Sequence, residues 1–133
     1  MLDTATIMTG STTHPFTGGL NFDFATLDNG EKSHLLYLDN SADFLDRIEI
    51  EGSVLRPRVQ VNAPNGYTQK KTTMFVKKPK TLANGNRTVT TCLIVLGTDI
   101  ETSEAENVEL RRVAAQTLIT ADFAEFWYEQ SKA

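Results

Sequence analysis

The feature that most constrains this chain is a change of hydrophobic period at Gly97. Before it, apolar side chains recur at every second residue; after it, they recur at intervals of three and four. The first spacing belongs to half-buried strands and the second to a helix with one apolar face. Strands gathered first and helices last imply an α+β layer structure, with helices on one face of an antiparallel sheet. At 133 residues the chain has length for one core and not for two ordinary domains.

Leu20, Phe22 and Phe24 alternate with Asn21, Asp23 and Ala25. Asp28-Asn29-Gly30 then supplies the positive φ of a hairpin turn, and Lys32 to Leu38 is the return strand. The segment Asn40 to Asp46 is polar and turn-forming. Ile48 and Ile50 alternate with Glu49 and Glu51 in a third strand, whose two glutamates suit a solvent-facing edge that deters aggregation. Val59 and Val61 within Arg58 to Asn62 mark a fourth strand, which turns at Pro64-Asn65-Gly66 into Tyr67 to Val76. Pro79, which has no N–H to donate, ends that ladder, and Lys80 to Arg87 forms a mobile loop. Thr88 to Leu96 is the last strand. Beyond Gly97, Ser103 and Glu106 have the spacing of a capping box. Leu110, Val113, Ala114, Thr117, Leu118 and Ala121 then make one helical stripe. Asp122 starts a second short helix carrying Phe123, Phe126 and Trp127. Five or six strands and two helices result. So small a helical cover leaves sheet exposed unless a second chain completes it, which implies an obligate dimer.

A composition of 40% hydrophobic and 23% charged residues excludes wholesale disorder. No apolar run approaches the roughly 20 residues of a membrane span. Met1 to Gly10 carries neither a basic region nor an apolar one, so the expectation is a soluble chain made and assembled in cytosol. The single cysteine, Cys92, lies in an apolar run and reads as a buried, inert thiol.

The net charge of −4 conceals a strong asymmetry. Arg56, Arg58, Lys70, Lys71, Lys77, Lys78, Lys80 and Arg87 are eight basic residues in a segment without one acid. The rest of the chain holds five of the 13 basic residues and all 17 acidic ones, so the segment is +8 on a body of −12. That is the electrostatic footprint of a polyanion-binding surface.

The order of elements resembles the coat proteins of single-stranded RNA bacteriophages. The resemblance covers Leu20 to Ala133 and is most specific from Arg56 to Glu106. There a short basic strand, a Pro-Asn-Gly hairpin, a Lys/Thr-alternating strand from Lys70 to Val76 and a Lys77-Lys78-Pro79-Lys80 exit come first. A Gly/Asn loop, an apolar strand and a capped helix follow. Met1 to Gly19 has no obvious counterpart in that pattern and reads as an arm or added edge strand ahead of a single domain of residues 20–133.

The resemblance implies an intertwined homodimer whose sheets join edge to edge, with the helices of each chain clamped over the other. Such dimers build an icosahedral shell in the bacterial host cytoplasm, and the inner sheet face meets genomic RNA in the virion. It also implies that Lys80, Asn84, Gly85, Asn86 and Arg87 make contacts between dimers. Leu110, Val113, Leu118, Phe123, Phe126 and Trp127 would pack between the subunits.

For RNA, alternation puts Arg58, Gln60 and Asn62 on one face, and Gln69, Lys71, Thr73 and Phe75 on one face of the next strand. Cations displace counterions from phosphates, amides and hydroxyls reach bases or 2′-hydroxyls, and Tyr67 or Phe75 can stack on a base. Lys70 and Lys78 fall on the opposite face. Nonspecific genome binding is favoured over readout of one stem-loop. Arg111 and Arg112 are assigned to ion pairs with Glu104, Glu106 and Glu109 or with another subunit. His14 and His34 have no ligand partners at metal spacing, and no catalytic or phosphate-loop motif is present, so no enzyme activity, metal or cofactor is expected. Two rivals remain: an RNA-binding sheet module that forms no shell, and a small α+β enzyme or ligand-binding protein with a deep polar pocket.

Overall fold

The computed structural model describes Ile7, Gly10, and residues 24–30, 33–38 and 48–131. The rest of the arm, the strand start at 20–23 and the turn-forming segment 40–46 lie outside the described residues. Two compact units are present, one of residues 18–100 and one of residues 101–133 together with 1–17.

The first unit is a five-stranded antiparallel meander: β1 (Phe24–Asn29), β2 (Ser33–Leu38), β3 (Glu49–Leu55), β4 (Lys70–Thr81) and β5 (Arg87–Thr98), in sheet order β1-β2-β3-β4-β5. The register shifts once, between Thr26 and Asp28 of β1, an irregularity in its pairing with β2. β4 and β5 pair along all twelve residues, from Lys70 with Thr98 to Thr81 with Arg87, a ribbon of about 40 Å.

Three local expectations change. Arg58 to Asn62 is not a strand but part of a long β3–β4 connection, tied by a single bridge between Val59 and Tyr67. The isolated alternation of two valines is too short to hold a ladder once the neighbouring backbone turns back on itself, with Gln60 N donating to Gly66 O and Thr68 N to Arg58 O. Pro79 does not stop β4 either, since it pairs in register with Val89. The β3 ladder ends at Lys77 opposite Glu49, so among the described residues β4 has no neighbour on that side beyond this point, and a missing N–H there costs no ladder bond. Third, β3 is the central strand of five, so Glu49 and Glu51 are not edge residues.

Directly paired residues of an antiparallel ladder share a face. The even-numbered face of β3–β5 carries Ile50, Val54, Met74, Val76, Cys92, Ile94 and Leu96. The odd-numbered face carries Glu49, Glu51, Lys71, Thr73, Phe75, Lys77 and Leu93. The even face is the one written as a core, yet Val54, Met74 and Ile94 remain 47%, 38% and 42% exposed. Cys92, expected to be buried, is exposed as well. Among the described residues no hydrophobic side chain is buried.

The second unit holds α1 (Glu104–Ile119), a 3₁₀ turn (Ala121–Phe123) and α2 (Ala124–Glu129). The N-cap half of the expected box forms, with Ser103 Oγ accepting from Glu106 N at 3.2 Å; the Glu106 carboxylate reaches back to the serine hydroxyl, which donates to Oε1 at 3.1 Å. Two further acceptors lie on α1. The Glu109 carboxylate takes the N–H of Gly10 at 3.0 and 3.2 Å, and Thr117 O takes Trp127 Nε1–H at 2.6 Å, which folds α2 back on α1. Within the helix the two arginines do not show the expected ion pairs with Glu104, Glu106 and Glu109: Arg111 Nε donates to Asn107 Oδ1 at 2.9 Å, and Arg112 Nε is buried without a hydrogen-bond partner.

Candidate nucleic-acid interface

The expected RNA residues separate into two recesses on the sheet unit. The larger, of about 500 Å³, lies where the β3–β4 connection meets the sheet; its lining includes Arg58, Gln60, Tyr67, Gln69 and Lys71, and adds Arg56 and Asp99. The smaller, of about 330 Å³, is on the odd face and is lined by Glu51, Ser53, Thr73, Phe75 and Leu93. Asn62 lines neither and is exposed.

What places the connection is a clamp that sequence patterning passed over. Asn65 Nδ2 donates to both carboxylate oxygens of Asp99, at 2.7 and 2.9 Å, while Asn65 Oδ1 accepts from Tyr67 N at 3.2 Å. One amide thus joins the turn to the residue just past β5 and sets the backbone at Tyr67. Gly66 follows with φ of +82°, which a side chain would strain. The Arg58 N–H is taken by Thr68 Oγ1 at 3.0 Å. Nothing in the composition of a Pro-Asn-Gly turn distinguishes an asparagine that turns the chain from one that also holds a carboxylate 34 residues away.

Gly97 matters on the sheet side. A Cβ there would lie 3.1 Å from Gln69 Oε1 and 3.9 Å from Lys71 Cγ, so the bare backbone lets both side chains lie across β5. Asn65→Ala removes the clamp and leaves Asp99 without that donor. It is expected to cost about 1.5 kcal/mol, the low end for bonds to a charged group, and to speed hydrogen exchange at Tyr67 and Gly66 while leaving β4 and β5 protected.

The smaller recess differs in chemistry. Glu51 stands directly opposite Phe75 and Glu49 opposite Lys77 on the same face. Lys77 Nζ lies over the Phe75 ring at 5.2 Å from its centroid, a cation–π contact. The acid-free segment therefore does not make an acid-free surface, because β3 brings two carboxylates alongside it. Lys70 and Lys78 lie on the even face, as alternation requires.

The remaining expected positions are distributed as follows. Lys80 and Arg87 belong to strands, and the loop between them shrinks to Leu82–Asn86. It is not loose: Leu82 N donates to Asn86 O at 2.7 Å, Gly85 N to Leu82 O at 3.0 Å and Asn86 N to Asn84 Oδ1 at 3.0 Å. Every residue of the hairpin tip is exposed. On the helices, Phe126 and Trp127 meet edge to face, 5.0 Å between centroids at 71°. Val113, Phe123 and Phe126 are half-buried, whereas Leu110, Leu118 and Trp127 are exposed.

No family model and no curated protein matches the sequence. Solved structures do. A chain from the virus-like particle of bacteriophage GQ-907 matches with a TM-score of 0.86 at 24% identity, over 100% of both chains. One from the virus-like particle of bacteriophage AVE019 matches with a TM-score of 0.65 at 9% identity, over 88% of this chain and 92% of that one. An unassembled virus coat protein dimer, described as a bacteriophage RNA-binding dimer, matches with a TM-score of 0.51 at 15% identity, over 90% and 91%. The fold of the RNA-phage coat proteins, an antiparallel sheet followed by C-terminal helices, is the fold of this chain.

Proposed function

We propose that this chain, which folds as RNA-phage coat proteins do, is itself a structural coat protein. It dimerises, assembles into a closed icosahedral shell and packages single-stranded RNA, and its place is the virion, assembled in the cytoplasm of a bacterial host. The observation that carries this is the end-to-end match to a chain that forms a virus-like particle. The open surface of the single chain supports it: a sheet with an apolar even face and helices with exposed Leu110, Leu118 and Trp127 need a second surface. The sheet edge at β5 and these helices, with Val113, Phe123 and Phe126, supply the dimer contacts. The Leu82–Asn86 tip, flanked by Lys80 and Arg87, supplies those between dimers. The basic residues around the β3–β4 connection supply the RNA contact.

Expression of the chain alone in bacteria, size-exclusion chromatography and negative-stain electron microscopy of the void fraction test this directly. Regular shells with a nucleic-acid absorbance spectrum are expected. A soluble dimer that binds RNA and never forms particles would favour a non-capsid RNA-binding module, and a monomer without RNA would remove the reading altogether.

A further inference from the structure

We infer that Asn84 is a site of spontaneous covalent modification, the cyclisation and deamidation of an Asn-Gly pair at the hairpin tip, and that Asn65, in a second turn of the same build, is held back from it by Asp99. The consequence for assembly rests on the coat-protein proposal; the chemistry does not.

An asparagine followed by glycine is the pair most open to this reaction, because no Cβ stands between the glycine nitrogen and the asparagine carboxamide. The chain has three such pairs, Asn29-Gly30, Asn65-Gly66 and Asn84-Gly85. The backbone of Asn29 is held in the β1 ladder opposite His34. The other two pairs are one turn made twice. Gly66 N donates to Ala63 O at 3.1 Å, and Gly85 N to Leu82 O at 3.0 Å. Tyr67 N donates to Asn65 Oδ1 at 3.2 Å, and Asn86 N to Asn84 Oδ1 at 3.0 Å. The two glycines have φ of +82° and +84°, and neither has an atom within 4 Å of where a Cβ would stand. In both turns the carboxamide is curled back over the glycine, with a backbone donor on the oxygen that gains charge under attack.

The side-chain nitrogen separates them. Asn65 is half-buried, and its Nδ2 donates to both oxygens of Asp99. Turning that carboxamide to meet the Gly66 nitrogen breaks bonds to a charged acceptor. Asn84 is exposed, and among the described residues no acceptor takes its Nδ2. There the Gly85 nitrogen adds to Asn84 Cγ: the N–Cγ bond forms, the Cγ–Nδ2 bond breaks, and the Gly85 amide proton departs with Nδ2 as ammonia. Water then opens the cyclic imide at either carbonyl, leaving aspartate or isoaspartate at position 84. Either product sets a carboxylate between Lys80 and Arg87, and isoaspartate adds a carbon to the backbone of the tip proposed to join dimers. Unassembled protein therefore ages into a poor building block.

The test incubates the full-length, unassembled protein in mildly alkaline buffer and follows the tryptic peptides 81–87 and 59–70 by tandem mass spectrometry, with protein unfolded in urea as the reference. In the folded protein position 84 is expected to convert about tenfold faster than position 65, the rate equivalent of one bond to a charged group, and in urea the two rates converge. Asp99→Ala brings position 65 up to the rate of position 84. Asn84→Gln, whose longer arm closes a less favourable ring, resists conversion and keeps its particle yield on ageing, while wild type loses it. Equal rates in the folded protein, or a faster position 65, overturn the site, and wild type alone gives this reading if Asp99→Ala does not fold. Conversion at position 84 with undiminished particle yield overturns the consequence for assembly. Fresh protein that never forms particles removes the coat-protein proposal and that consequence together, while the two conversion rates still decide the site.

Discussion

Ile94→Asp is expected to abolish both particles and the folded chain. Ile94 lies mid-way along β5 on the even face, paired with Met74 of β4, and 42% of it is open in the single chain. With no hydrophobic side chain buried among the described residues, the stability of one copy has to come from what covers this face. An unpaired carboxylate enclosed there costs several kcal/mol, against the roughly 5–15 kcal/mol that a typical folded domain has in total. Ile94→Leu, a swap of equal volume, should assemble normally. Circular dichroism and size-exclusion chromatography separate the outcomes. Assembled Ile94→Asp particles would mean that the even face is not the one the partner covers. The same logic makes stability depend on concentration: if folding and dimerisation are one event, tenfold dilution lowers it by about 1.4 kcal/mol, whereas a self-sufficient monomer shows no such shift.

The second large effect is on RNA. Arg58→Glu with Lys71→Glu lowers the formal charge from −4 by four per chain and places both new carboxylates in the larger recess. Purified particles are expected to lose most of their nucleic-acid absorbance, or to assemble only when RNA is added in excess. Dimers should be unaffected, since Arg58 belongs to the β3–β4 connection and Lys71 to β4, outside β5 and the helices proposed to carry the dimer contacts. The neutral pair Arg58→Gln with Lys71→Gln measures the same contact more finely. If each cation neutralises one phosphate, the slope of log affinity against log salt becomes shallower by about 1.4. Particles of the charge-reversed protein that hold a full RNA complement would mean that packaging uses other residues. Dimers that dissociate would mean that Arg58 or Lys71 lies in the subunit contact.

These two variants rest on information of different kinds. The face on which Ile94 lies follows from alternation alone: a strand turns its side chains over at every residue, so Lys71, Thr73 and Phe75 part from Lys70 and Lys78 whatever the sheet around them. The recess holding Arg58 could not be read in that way. It depends on a connection that returns across the end of the sheet, held by an Asn65–Asp99 contact between residues 34 apart, and Arg56 is part of the same lining.

The sequence by itself determined what is local. The change of period at Gly97, the Ser103–Glu106 cap and the two-residue alternation of β4 each involve groups within about one helical turn or one pleat of each other, so backbone geometry settles them. Tertiary structure decided what depends on neighbours. Glu49 and Glu51 read as edge residues until β2 and β4 flank β3 on both sides. Pro79 read as a stop until β3 proved to end before it. A segment without acids became a mixed surface once β3 laid two carboxylates beside it. Pairing between strands is a long-range choice, made by whichever arrangement buries most apolar surface and leaves fewest polar groups unpaired, and no stretch of one strand contains the information about its neighbours.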